Sequence, residues 1–265
     1  MKSRLLVSAI GVPVLLYVVL WAPKPVMAVA LMVLASIAAG ELMQCVKVPA
    51  GGAMELTTIF MAVCTVGLVW RHPQLLEAAW LLYLLAACAY AVYKGGEEKF
   101  HQLMAGAAAA LFIPYALSAF LRLDSSGFHR GYLLLPFVFS FMSDTGGYFF
   151  GRAFGRHKLA PKVSPKKTVE GSIGGLLGNA LGGVLFALGM NTWGGESIDY
   201  LGIVVLGLFC SILAQLGDLS FSLIKREFGI KDYGKIFLEH GGVLDRFDSV
   251  IFVAPALSVL LPMMN

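Results

Sequence analysis

The chain has 265 residues, of which 58% are hydrophobic and only 14% charged, with a formal net charge of +4. A water-soluble domain is about 25% charged. Composition therefore excludes a soluble globular protein and leaves an all-α, polytopic membrane protein as the expected class.

The first apolar run, residues 5–21, follows a basic start at Lys2 and Arg4, and Val26-Met27-Ala28 beyond it resembles a leader cleavage site. Everything downstream is equally apolar, so a first spanning helix accounts for the segment without cleavage. Residues 26–40 and 78–93 form further runs almost devoid of charge. A helix needs roughly 20 mostly apolar residues to cross the hydrocarbon layer. Backbone groups in lipid must be satisfied internally, so these runs are helices and not open strands. About nine spans are predicted, centred near Ala9, Val33, Val63, Leu85, Leu111, Phe139, Leu177, Leu208 and Ala256. The four cysteines, Cys45, Cys64, Cys88 and Cys210, sit in or beside apolar runs without metal-binding spacing, and are expected to be small buried side chains.

With nine spans the connections alternate sides. Lys24, Arg71, Arg122 and Arg130 fall on one side, and the other sixteen of the 20 Lys and Arg fall on the other. The positive-inside rule places the basic set, with the N-terminus, in the cytoplasm. An odd count puts Asn265 outside. Connections are thinly charged in residues 1–130, whereas dense polar segments fill 143–170 and 215–248. Two regions are therefore expected: an N-terminal helical scaffold over 1–130 and a C-terminal catalytic region over 131–265.

Three constellations carry chemistry. In Ser143-Asp144-Thr145-Gly146-Gly147-Tyr148, Asp144 falls inside an apolar helix, where a carboxylate costs about 2.5–3.5 kcal/mol on the lenient insertion scale. A structural hydrogen bond would explain it, as would a bound cation. Gly147, Gly151 and Gly155 recur every four residues, a spacing that more often means close helix packing than phosphate binding. In the basic segment 157–171, Pro161 and Pro165 restrict the backbone around Ser164 and hold Lys166 and Lys167 near the membrane surface. Basic residues there can be mere orientation signals, but compact ammonium groups also suit phosphate oxygens.

The third constellation runs from Gln215 to Asp248. Asp218, Ser222 and Lys225 lie at i, i+4 and i+7 and share one helix face, with Arg226 beside them. A polar loop over 227–242 then leads to Asp245-Arg246-Phe247-Asp248, immediately before the last apolar run. Helix capping would explain one of these two carboxylates, though not Asp218 on the preceding helix. Oxygen-only ligands favour Mg²⁺, which usually binds through a few carboxylates plus substrate phosphates. A metal and a polyanion at a membrane surface point to phosphoryl or nucleotidyl transfer to a lipid.

Ser222-Leu223-Ile224-Lys225-Arg226, Lys231-Asp232 and His240-Gly241-Gly242-Val243-Leu244-Asp245-Arg246-Phe247-Asp248 closely resemble the signature of the phosphatidate cytidylyltransferase family, and segments 143–156 and 157–171 look like that family's. The resemblance is strong over about 140–250. It implies transfer of CMP from CTP to phosphatidate, giving CDP-diacylglycerol and pyrophosphate, at the cytoplasmic face of a bacterial inner membrane. It also implies Mg²⁺, a second monovalent cation such as K⁺, a homodimer among membrane lipids, and no nucleic-acid partner. By motif position Asp218, Asp245 and Asp248 become metal ligands, with Asp144 a further candidate. Lys225 joins these aspartates as catalytic, and Ser164, Lys166, Lys167, Ser222, Arg226, His240 and Arg246 bind substrate. Two departures stand out. Phe237-Leu238-Glu239 replaces the family's apolar residue, proline and glycine, and Val169 replaces a common tryptophan.

Other functions fit less of the sequence. A CTP-dependent polyprenol kinase would use the same metal with an alcohol acceptor. A CDP-alcohol phosphotransferase would need an Ala-Arg pair after Asp144, which is absent. A cation-coupled transporter leaves the basic segment and His240-Gly241-Gly242 without a role.

Overall fold

The computed structural model describes residues 2–95, 99–236 and 241–264. The chain is a polytopic α-helical membrane protein with one short antiparallel strand pair. Helices α1 (Lys2–Leu20), α2 (Lys24–Cys45), α3 (Ala53–Arg71) and α4 (Leu76–Tyr93) come first. They are followed by α5 (Phe100–Ala107), α6 (Ile113–Leu117) and α7 (Ala119–Ser125). A π-turn over Ala108–Phe112 joins α5 to α6, just before Pro114, which has no N–H for the regular ladder. Then come α8 (Leu135–Phe154), β1 (Lys158–Ala160), β2 (Ser164–Thr168), α9 (Val169–Trp193), α10 (Tyr200–Glu227), α11 (Leu244–Phe247) and α12 (Val250–Met264).

All nine expected centres lie in helical segments. Among the described residues, seven segments are long and apolar enough to cross a membrane, the first being Lys24–Cys45 and the last Tyr200–Glu227. The apolar segments Gly11–Leu20 and Val250–Met264 are shorter than that. All four cysteines are free thiols.

The chain forms two compact units, and their boundary differs from a single cut at 130. One unit comprises residues 1–122 and 228–246, the other 123–227 and 247–265. Residues 228–246 join the N-terminal unit because the Glu41 carboxylate on α2 accepts the backbone N–H groups of Val243 and Leu244. Elsewhere in this unit, Thr65 donates to the Ala110 carbonyl while accepting from the Trp80 indole, and Thr58 bonds Tyr83. These bonds satisfy polar groups inside the helix packing.

In the second unit, α8 and α9 approach until backbone meets backbone. A Cβ on Gly146 would run into the Gly174 carbonyl oxygen, and one on Gly171 would stand 2.8 Å from the Gly147 oxygen. These glycines thus form a packing face between α8 and α9. Ser143 of α8 bonds Ser211 of α10 at 3.0 Å.

Within the basic segment, residues 158–168 form a hairpin. Lys158 pairs with Thr168 and Ala160 with Ser164, and Val163 N–H closes the turn on the Ala160 carbonyl at 3.1 Å. The Glu170 carboxylate accepts the N–H groups of Arg156 and His157, fixing the hairpin's entry. Thr168 then caps α9 by accepting the Gly171 N–H at 3.1 Å.

Candidate active site

The face expected on α10 forms as the helical period requires. Ser222 Oγ donates to Asp218 Oδ1 at 3.2 Å, one turn apart. Lys225, a further turn on, is 9% exposed. The hairpin supplies the opposing cation: Lys167 Nζ lies 2.5 Å from Asp218 Oδ2, each side chain being a quarter exposed. Arg226 Nε donates to the Val163 carbonyl at 3.3 Å, tying the end of α10 to the hairpin turn.

Beside this ion pair is a cavity of about 220 Å³. Ser143, Asp144, Gly147 and Tyr148 of α8 form one wall, Leu159, Lys166, Lys167 and Thr168 of the hairpin another, and Gly171, Ser172 and Gln215 the remainder. Asp144 therefore faces an open space and is exposed, not sealed in apolar packing. Gln215 joins the walls by donating to Ser211 Oγ and the Ser172 carbonyl, both at 3.2 Å, while Ser172 Oγ donates to its Oε1. Ser143, Ser172 and Gln215 were not singled out as site residues. A glutamine three residues before Asp218, in an apolar run, was the available signal.

Asp248 precedes α12 and accepts the Ser249 N–H at 2.6 Å. Burial first, then the neighbouring Asp218 and Asp144 carboxylates, push its carboxyl up to about 7, while Lys225 pulls it down. Asp218 and Asp144 thus both lie within electrostatic reach of Asp248, an arrangement a cation would relieve. Among the described residues no three His, Cys, Asp or Glu side chains form a closed metal cage. Mg²⁺ does not need one, since it usually binds through one or two carboxylates, waters and the phosphates of its substrate. The donors fit, and the Lys167 ammonium already stands as a positive charge on Asp218.

The remaining expected site residues are not among the cavity walls described above. Asp245 and Arg246 belong to the N-terminal unit. There Asp245 Oδ2 accepts the N–H groups of Tyr233 at 2.7 Å and Gly242 at 3.0 Å, and Arg246 is exposed. Ser164 heads β2 opposite Ala160 and is not a cavity wall. His240 and the departure at Phe237-Leu238-Glu239 lie outside the described residues.

Compared with known proteins, residues 2–264 match the sequence profile of the cytidylyltransferase family. The chain belongs to this family. Among its relatives is the phosphatidate cytidylyltransferase of Staphylococcus saprophyticus, 36% identical over 137 residues, or 52% of this chain and 50% of the relative. The Staphylococcus aureus protein of the same name is 35% identical over 142 residues, 54% of this chain and 52% of the relative. That of Staphylococcus epidermidis is 36% identical over 130 residues, 49% and 48%. The chain thus spans about half the length of the curated relatives it matches.

Proposed function

We propose that the protein transfers CMP from CTP to phosphatidate, yielding CDP-diacylglycerol and pyrophosphate, at the cytoplasmic face of a bacterial inner membrane. The observation that carries this reading is the cavity where Lys166 and Lys167 meet Asp144, with Asp218 ion-paired to Lys167 at its edge. It supplies cations for a polyphosphate beside carboxylates for its metal, in a helical membrane protein of the cytidylyltransferase family. The name of the staphylococcal relatives supports phosphatidate as acceptor.

The chemistry asks little of the chain beyond alignment and charge. A phosphatidate oxygen attacks the α-phosphorus of CTP, the bond to the bridging α–β oxygen breaks, and pyrophosphate leaves with that electron pair. A phosphate monoester is already anionic near neutral pH, so no protein nucleophile or strong base is required. Lys166 and Lys167 hold phosphate oxygens as point charges. Lys225, buried beside Asp248, opposes negative charge growing on the leaving group. Asp218 and Asp248 would hold Mg²⁺, with Asp144 alongside and, by motif position, Asp245 as a further ligand. When bound, the ion supplies charge neutralisation and a template for in-line displacement. Ser222 fixes the Asp218 carboxylate from one side.

The test is purified protein with phosphatidate, Mg²⁺ and CTP labelled either in cytidine or in the γ-phosphate. Cytidine label in the lipid phase, with one pyrophosphate per lipid product, is the expected result. Transfer of γ-label alone would make the protein a lipid kinase and overturn the reading.

A further inference from the structure

Glu41 was given no role by the sequence, yet both oxygens of its buried carboxylate are engaged. It sits on α2 among Gly40, Leu42 and other apolar residues and is 6% exposed. A carboxylate buried near the end of a spanning helix is costly and marks function by default. Both of its oxygens are used, and both reach residues some 200 positions away. Oε1 accepts the Val243 N–H and Oε2 the Leu244 N–H, each at 2.9 Å and each buried.

The same bend is gripped from its other side. Asp245 accepts the N–H groups of Tyr233 and Gly242 through one oxygen. Four consecutive residues, Gly242 to Asp245, are thus either donors to a carboxylate or the carboxylate itself. Two glycines make room for the arrangement. A Cβ on Gly242 would stand 2.6 Å from Glu41 Oε2, and one on Gly234 would stand 2.9 Å from Glu41 Cδ. Neither glycine has a positive φ, so the carboxylate and not the backbone conformation demands them. Gly241 is the residue that bends, with φ of 81°.

We infer that Glu41 is a positioning residue for the reaction: its carboxylate, by holding the N–H groups of Val243 and Leu244, sets the backbone from which Asp245 projects. The inference rests on the proposed function insofar as Asp245 serves catalysis. A carboxylate suits the task because it only accepts. Glutamine would turn an –NH₂ toward one of the two N–H groups, leaving a buried donor without its partner.

Two readouts test this, one of them independent of turnover. In the full-length protein, hydrogen–deuterium exchange across 241–247 should quicken about tenfold or more in Glu41→Gln and in Gly242→Ala, with exchange in α8 and α9 unchanged. In the transfer assay both variants should lower kcat about tenfold or more and raise the half-saturating Mg²⁺, with KM for CTP within about threefold. Gly242→Ala should add little on top of Glu41→Ala, because the collision it causes is with the Glu41 carboxylate. Exchange at 241–247 that is unchanged in Glu41→Gln, or penalties of the two substitutions that simply add, would overturn the inference. If the wild-type chain forms no CDP-diacylglycerol, the proposed function fails, and the exchange measurement still decides the role of Glu41.

Discussion

Replacing Lys167 by alanine tests the site at the ion pair that links the hairpin to α10. In the structure the Lys167 ammonium is held by Asp218 at 2.5 Å, with both side chains a quarter exposed. A phosphate arriving in the cavity must draw Lys167 away from Asp218, and a metal arriving at Asp218 must displace it. A charge-assisted hydrogen bond to a phosphate oxygen is worth about 1.5–3 kcal/mol. Parting an ion pair this open to solvent costs about 1 kcal/mol. The net loss on removing Lys167 is therefore about 0.5–2 kcal/mol, a rise in KM for CTP or phosphatidate of about 2- to 30-fold. The same substitution frees Asp218 of a competing cation, so the half-saturating Mg²⁺ should fall, by about fivefold for 1 kcal/mol. Lys225→Ala should behave in the opposite way, lowering kcat with little change in KM, since its charge matters most as pyrophosphate leaves. The assay is steady-state CDP-diacylglycerol formation in mixed micelles, varying CTP, phosphatidate and Mg²⁺ in turn. If Lys167→Ala leaves both KM values within twofold while kcat collapses, or if its Mg²⁺ requirement rises, Lys167 is not the exchangeable cation described.

Asp218→Asn and Asp248→Asn should each remove nearly all turnover from a protein that still purifies as a folded species; substantial Mg²⁺-dependent activity in both would sink the metal assignment. In a background lacking the native thiols, a cysteine near Trp193 should react with an impermeant reagent from outside the cell and one near Lys162 should not. The reverse labelling would invert the topology drawn from charge. Gly146→Ala should lower the melting temperature, at a cost of about 1–3 kcal/mol, because its Cβ meets the Gly174 carbonyl. Gly11→Ala, with nothing within 4 Å, should leave the melting temperature unchanged.

The helices were legible because apolar runs of spanning length have few other solutions in lipid. The face shared by Asp218 and Ser222 was legible because helical spacing alone brings them together. The hairpin was hidden. Strands of three and five residues are too short to show a two-residue period, and two prolines with several lysines read as loop. The Lys167–Asp218 pair was equally hidden, since nothing local ties position 167 to 218. Glu41 illustrates the same limit. Its partners are 202 and 203 residues away, and a lone glutamate at the end of an apolar run gives no sign of what it holds. For that reason residues 228–246 group with 1–122 in the structure, a pairing no local pattern announces.

The glycines of α8 and α9 show why packing and chemistry were hard to separate by spacing. Read as a pattern, Gly147, Gly151 and Gly155 invite a choice between a packing stripe and a phosphate cradle. The structure does not divide them that way. Gly146 and Gly178 face carbonyls and Cα atoms of the opposite helix, Gly174 faces the Phe150 side chain and the Gly146 carbonyl, and none of the three lines the cavity. Gly147 and Gly171 do both: they lie against each other across the helix contact and also line the cavity beside Asp144 and Ser172. A side chain at either would take up cavity space, and only at Gly171 would it also press on backbone, at 2.8 Å against 3.4 Å for Gly147. Close approach of the two helices therefore brings Asp144 to the same cavity as the hairpin lysines, and the small residues that permit the approach leave the room in which those charges act.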